Sequence, residues 1–288
     1  MSRFFCDTNS ELWFSCADKL GLDVIQMPYS LDGEEKAYDL GRNTDFKAFY
    51  DALKNGADAK TQALNMQNYI DYFEPVLEDG EDIIYVHFSR NMSGTFAQMD
   101  SAIAYLKEKY PNRKISVVDT KLISIGEAML VYESAKLWKS GATDEEVIKF
   151  VEDNRQKTAV YFMVKDLVQL KRGGRISAIS YVAGTLLNIK PVLRVQEDGR
   201  LDKYCTAKGV KGGLKTIVQK VCELGDEIYS YPILIAHADA EELANELKQM
   251  LIAEFGENLK IYIQPVGPTV GTHCGSGTVG IAFHSKSR

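Results

Sequence analysis

The sequence predicts an α/β protein in two parts: an N-terminal parallel sheet with flanking helices, then an α+β unit with a mixed sheet. Three observations lead there. Short apolar runs alternate with amphipathic stretches through the first half, the β–α–β–α order that builds a parallel sheet covered on both faces. After about residue 155 the texture changes to strand–turn–strand units mixed with helices. The 288 residues, 45% hydrophobic and 26% charged, are ordinary globular composition and leave room for two domains. The expected division is 1–155 and 156–288, with a soft boundary because no Pro/Ser linker separates the halves.

Each element has a local reason. Arg3–Cys6 reads as a strand, and Asp7-Thr-Asn-Ser then supplies capping oxygens for a helix carrying Leu12, Ala17 and Leu20. Asp23–Met27 reads as a strand, and Asp45–Leu53 and Ala63–Phe73 as helices. Ile83–Phe88 is a buried strand, followed by Ser93 and a helical pattern to Lys109. Lys114–Val118 is a strand, and Gly126–Trp138 a helix with apolar residues on several faces. In the second half, Ala159–Val164 and Ile189–Val195 are strand-like, and Glu197-Asp-Gly-Arg200 is a turn before Leu201. Helices follow at Val210–Leu224 and Glu241–Phe255, with strands near Ile228–Ala236 and Leu259–Ile263.

Composition excludes several classes. With 34 Lys and Arg against 40 Asp and Glu the formal charge is −6, which lacks the cationic field that nucleic-acid phosphates require. No apolar run approaches the roughly 20 residues of a membrane span, and no signal-like apolar core follows Arg3. Cys6, Cys16, Cys205, Cys222 and Cys274 are an odd count without CxxC spacing, so neither a disulfide framework nor a zinc site is expected. The reducing cytoplasm is the expected compartment.

Four segments carry candidate chemistry. In Phe88-Ser-Arg-Asn-Met-Ser-Gly-Thr95, Ser93 either caps the next helix or, with the free N–H groups of that turn, faces an anion. Thr61, in Lys60-Thr61-Gln62, offers a second hydroxyl from a helix entrance. Leu170-Lys-Arg-Gly-Gly-Arg-Ile-Ser177 pairs two glycines with Arg175, whose planar fork suits a carboxylate or phosphate. The glycine-rich stretch from Val266 to Gly277 reads as an irregular loop holding His273, a candidate donor or acid–base group. Other motifs fail on context. Gly275-Ser-Gly277-Thr-Val-Gly280 matches GxGxxG, but only eight residues remain for the βαβ unit that motif needs. There is no GxxxxGK[ST] string, no GxSxG elbow and no HxxxH spacing.

Taken in order, these segments resemble the DegV family of bacterial fatty-acid-binding proteins over nearly the whole chain. The resemblance rests on Asp7-Thr8, Ser93-Gly94-Thr95, Val118-Asp119-Thr120, Gly173-Gly174-Arg175-Ile176 with Leu187-Asn188-Ile189-Lys190-Pro191, and Gly271-Thr272-His273-Cys274-Gly275-Ser276-Gly277. It departs from the family at Lys60–Asn65, where a TSQPS-like string is usual, and at Lys208-Gly-Val-Lys211, usually richer in arginine. The resemblance implies two domains with a lipid held between or within them, and no catalytic residue or metal. It also implies the role of acyl carrier for a fatty acid kinase, with ATP and magnesium belonging to the kinase partner. It places the fatty acid carboxylate at Thr61, Ser93, Gly94 and Thr95, with Arg175 and His273 near the mouth engaging the head group or the kinase. Two alternatives stand beside it: a serine hydrolase using Ser93, His273 and either Asp119 or Asp7, and a lipid reservoir or transporter without a kinase.

Overall fold

The structure, a computed structural model, describes residues 2–175 and 188–288. From the N-terminus the elements are β1 (Arg3–Asp7), α1 (Phe14–Leu20), β2 (Asp23–Ile25), β3 (Pro28–Leu31), β4 (Glu34–Ala37), α2 (Phe46–Lys54), β5 (Ala59–Thr61) and α3 (Met66–Glu78). Next come β6 (Ile83–His87), α4 (Thr95–Lys109), β7 (Ile115–Asp119), α5 (Ser124–Lys139) and α6 (Asp144–Asn154). The remainder is β8 (Thr158–Met163), α7 (Val168–Arg172), β9 (Ile189–Val195), β10 (Leu201–Lys208), α8 (Gly209–Leu224), β11 (Ile233–His237), α9 (Glu241–Phe255), β12 (Ile261–Pro265), α10 (Pro268–Cys274) and β13 (Val279–His284).

The α/β expectation holds in both sheets. Strands β2-β1-β6-β7 form a parallel sheet in that order, and all five residues of β6 are buried, as a strand covered on both faces requires. The second sheet runs β10-β9-β8-β13-β11-β12 and is mixed: β11 and β12 pair in parallel, the rest antiparallel. Side chains alternate across it. Tyr161, Met163, Ile235 and Ile281 face α8 and α9, whereas Val160, Ala236 and Ala282 face the first sheet's helices.

Helix α5 joins the two sheets. Its first eight residues are all buried, and it contacts β1 on one side and β8, β11 and β13 on the other. A helix apolar on several faces belongs between layers. Gly126 permits the approach, since a Cβ there would lie 2.3 Å from Val160 Cγ2.

Local differences from the sequence reading have identifiable causes. Asp7 caps only a 3₁₀ turn at Thr8–Ser10, and α1 starts at Phe14, two residues after Leu12. The helix expected from Ala63 starts at Met66, because Asn65 forms a reciprocal capping box with Asn68. Thr61 therefore stands at the end of β5, in a small antiparallel sheet ordered β4-β3-β5, and not at a helix entrance. The glycine-rich stretch is not a loop throughout: Pro268 occupies the first turn of α10, where its missing N–H costs nothing, and His273 rides on that helix. Gly280 of the rejected GxGxxG match lies in β13, between β8 and β11. Ile176, Ser177, Leu186 and Leu187 of the motif segments lie outside the described residues.

Candidate functional site

Between the parallel sheet's helices and the mixed sheet lies a cavity of about 1030 Å³, its mouth included. Its floor is a row across three adjacent strands, Phe162 of β8, Gly280 of β13 and Ala236 of β11, each opposite the next in register. Small residues at two of the three positions leave the space open. Ile123 and Ile125 from the start of α5, Leu170 from α7 and Val270 from α10 supply apolar walls.

Polar groups gather in the same space. Thr61, Ser93, Thr95, Arg175 and His273 all line the cavity, so five of the six candidate residues, far apart in sequence, meet in one place. Gly94 lies instead in an adjoining polar hollow with Arg90, Arg175 and Arg200. Met92, Ser93, Arg175 and Leu201 line both spaces, which locates the mouth.

Thr61 and His273 are coupled directly: Thr61 Oγ1 and His273 Nε2 are 2.8 Å apart. The imidazole Nδ1 is buried and has no partner among the described residues. It faces the Gly173 backbone so closely that a Cβ there would sit 2.1 Å away. An orphaned N–H is dearer than a bare lone pair in such a place, so the proton is assigned to Nε2 and donated to Thr61. The Thr61 hydroxyl is then free to donate into the cavity. Burial, with the positive charge of Arg175 adding to it, holds the His273 pKa down at about 4, so the ring is neutral near pH 7.

The paired glycines have separate reasons. Gly173 has φ −73°, open to any residue, and is glycine because His273 occupies the Cβ position. Gly174 has φ +67°, in the left-handed region. Arg175 then turns its Nε to the Met92 carbonyl at 3.2 Å and Nη1 to the Gly173 carbonyl. Arg175 is half-buried and makes no ion pair among the described residues, and its burial lowers the pKa from the ordinary guanidinium value. Three of its five N–H donors are left for a ligand.

Ser93 does not cap α4 from the N-cap position, which Gly94 holds without a side-chain bond; its Oγ accepts the Thr95 N–H at 3.2 Å from one residue earlier. The Ser93 hydroxyl proton is left to donate. Thr95 is committed: its Oγ1 donates to the Leu64 carbonyl at 3.2 Å and lies 2.9 Å from the Tyr69 hydroxyl. It therefore shapes the wall and has little left for a ligand.

The hydrolase arrangement does not form. His273 bonds Thr61, not Ser93, and its other nitrogen has no partner among the described residues. Asp7 is fully buried, accepting from the Tyr85 hydroxyl (2.9 Å), the Phe88 N–H (3.3 Å) and the Asn9 N–H (2.9 Å). Burial pushes its pKa up to about 7. Asp119 accepts the Lys121 N–H at 2.7 Å. Neither acid orients the imidazole. No cluster of His, Cys, Asp and Glu suited to a metal occurs among the described residues, and no helix among them is long and apolar enough to cross a membrane.

Sequence reasoning missed two residues. Glu11 is 1% exposed and ties three segments to the site: its carboxylate accepts from Ser124 Oγ and from the Gly267 N–H (2.6 Å) at the N-cap of α10. Burial raises its pKa to about 8. Thr269, four residues before His273 on α10, also lines the cavity. A Pro-Thr pair followed four residues later by His was the available signal, hidden among glycines.

A profile of a family described as an uncharacterised protein of the DegV family matches residues 5–286. A DegV domain-containing protein of Clostridium perfringens is 34% identical over 285 residues, covering 98% of each chain. Among solved structures, a fatty-acid-binding DegV family protein of Streptococcus agalactiae has 25% identity and a TM-score of 0.84, covering 100% of this chain and 99% of its own. One from Thermus thermophilus, also described by its fatty acid binding, has 25% identity and a TM-score of 0.84, covering 98% and 99%.

Proposed function

The chain belongs to the DegV family, and from that premise we propose that it binds a long-chain fatty acid with its tail buried and presents the carboxylate to a separate ATP-dependent kinase. The observation that carries the reading is the lining of the cavity: apolar walls from Ile123, Ile125, Leu170 and Val270, with Thr61, His273, Ser93 and Arg175 brought to the same space. The residues present suit a carboxylate. Thr61 and Ser93 offer hydroxyl donors, Arg175 offers N–H donors and a charge, and no Asp or Glu among the described residues lines the cavity. The relatives described as fatty-acid-binding support it.

The energetics divide between tail and head. A tail of about 15 methylenes gains roughly 12 kcal/mol gross at about 0.8 kcal/mol per buried CH₂. Ordering costs reduce that, yet the tail alone supplies most of the affinity. The head-group donors then serve orientation and satisfaction, since a buried carboxylate without donors would protonate. A carboxylate held by hydroxyls and one half-buried arginine at an open mouth keeps a lone pair for attack on phosphorus. That oxygen would displace ADP from the γ-phosphate of ATP on the partner, leaving an acyl phosphate.

Two features support a separate kinase. The sequence contains no Walker-type phosphate loop. Residues 165–220, which include the mouth residues Arg175 and Leu201, carry twelve Lys and Arg against four Asp and Glu, in a chain of formal charge −6. Lys208, Lys211 and Lys215 are exposed at the end of β10 and on α8, which packs on the face of the mixed sheet opposite the cavity. The division at 1–155 and 156–288 fits the same reading, with the ligand held between the parallel and the mixed sheet.

The test is native mass spectrometry of protein purified from bacteria, followed by denaturing extraction of the ligand. The expected result is one fatty acid per chain, released intact. Protein that arrives empty and refuses added fatty acid would refute carriage. A loaded protein that fails to stimulate acyl phosphate formation by any fatty acid kinase would leave the reservoir reading in its place.

A further inference from the structure

Beyond those polar groups, one hydroxyl on the cavity wall is unaccounted for. Thr269 is 3% exposed, lines the cavity, and its Oγ1 has no hydrogen-bond partner among the described residues. Two other hydroxyls of the lining are engaged: Ser124 Oγ donates to Glu11, and Thr278 Oγ1 donates to the Cys274 carbonyl at 2.9 Å. A helical threonine usually escapes by bonding a carbonyl three or four residues back, as Thr272 does with Pro268 at 2.8 Å. For Thr269 the carbonyl three back belongs to Val266, and the buried Tyr50 hydroxyl already donates to it at 2.8 Å.

A buried hydroxyl left unpaired costs about 1–3 kcal/mol. Valine has nearly the same shape and would line the wall without that cost, as Val266 and Val270 do on either side. The unpaired hydroxyl therefore has a use only when something polar enters the cavity. Its position says where. Thr269 and His273 are four residues apart on α10, on one face, with about 6 Å of helical rise between them. His273 stands with Thr61 at the carboxylate end, so Thr269 faces the acyl chain within about five carbons of the carboxylate.

We propose that Thr269 is a polar subsite on the cavity wall, serving a fatty acid that carries an oxygen substituent, hydroxyl or keto, near its carboxylate end. The inference rests on the fatty-acid reading above and adds the class of chain that the site favours. A matched hydroxyl on the ligand satisfies Thr269 and is itself satisfied, whereas a plain chain leaves the threonine orphaned.

The experiment measures affinities of three probes, hexadecanoate, 3-hydroxyhexadecanoate and 5-hydroxyhexadecanoate, for the wild type, Thr269→Val and Thr269→Ser. In the wild type one hydroxylated probe should bind about three- to tenfold tighter, relative to hexadecanoate, than it does in Thr269→Val. Thr269→Ser should keep that advantage, and hexadecanoate should bind Thr269→Val as well as or better than the wild type. Equal weakening of all three probes by Thr269→Val would assign the hydroxyl to the carboxylate or to a fixed water and overturn the proposal. So would three unchanged affinities. A wild type that binds no hexadecanoate would instead sink the fatty-acid reading itself. Thermal unfolding of both variants separates a binding effect from a folding defect.

Discussion

Replacing Gly173 by alanine tests the coupling at the mouth with a single methyl group. The backbone there, φ −73° and ψ −9°, accepts alanine without strain, so the whole effect comes from what the methyl meets. It meets His273, with Nδ1 2.1 Å and Cε1 2.8 Å from the new Cβ. Restoring van der Waals contact requires the ring to retreat by more than about 1 Å. A displacement of that size disturbs the 2.8 Å contact between Nε2 and Thr61 Oγ1. That bond is worth about 1 kcal/mol, and its two polar atoms, once unpaired, add about 1–3 kcal/mol unless water reaches them. The assay is NMR titration of the His273 imidazole together with fatty acid affinity. In the wild type the ring stays neutral down to about pH 4, because burial disfavours its cation. In Gly173→Ala the displaced, better hydrated ring should titrate nearer to the ordinary 6.5, and fatty acid should bind about five- to tenfold more weakly. An unchanged titration with unchanged affinity would refute the reasoning, since the methyl cannot be accommodated without moving the ring.

Three further outcomes are expected. Gly126→Ala gains up to about 1 kcal/mol of helix propensity but drives a methyl against Val160 Cγ2; it should destabilise by a net 1–3 kcal/mol in urea unfolding, and Val160→Ala should recover part of that loss in the double variant. Glu11 and Asp7 have folded-state pKa values raised to about 8 and about 7, so their protonated forms favour the fold, and stability is lost as pH rises. Glu127, fully buried, is pushed up in the same direction, so going from pH 8 down to 6.5 should raise stability until the depressed histidines begin to oppose it, and Glu11→Gln should lessen that slope in pH-dependent thermal unfolding. Ala236→Leu fills the floor row beside Gly280 and should shift the extracted ligand toward tails about three carbons shorter, with an unchanged profile arguing that the tail does not cross that row.

Local pattern made most of the fold legible. Hydrophobic periodicity located β1, β6, β9 and α9 to within a residue or two because each buries a continuous or periodic apolar set. The small sheet was invisible for the converse reason: β4 reads Glu-Glu-Lys-Ala, is exposed throughout, and exists through its pairing with β3. Helix α10 was hidden because glycine disfavours helix, and Gly271 is there since its Cα lies against Tyr50, where a Cβ would be 2.6 Å from the hydroxyl oxygen. At the site, residue types and motif order were enough to nominate Thr61, Ser93, Arg175 and His273.

What the sequence determined by itself is therefore the alternation of elements, the α/β class and the chemistry available: two hydroxyls, an arginine and a histidine without a nucleotide loop or metal spacing. What only the tertiary structure decided is how those groups are used. Thr61 and His273 are 212 residues apart, and no local propensity places them 2.8 Å from each other. Burial, a property of the packed whole, makes the imidazole neutral and raises Glu11 and Asp7. The Thr269 hydroxyl is left unpaired among the described residues, on a helix that distant segments close over the cavity. Sequence sets which groups exist, and the distances and dielectric that give them their roles arise only when distant segments close around a common cavity.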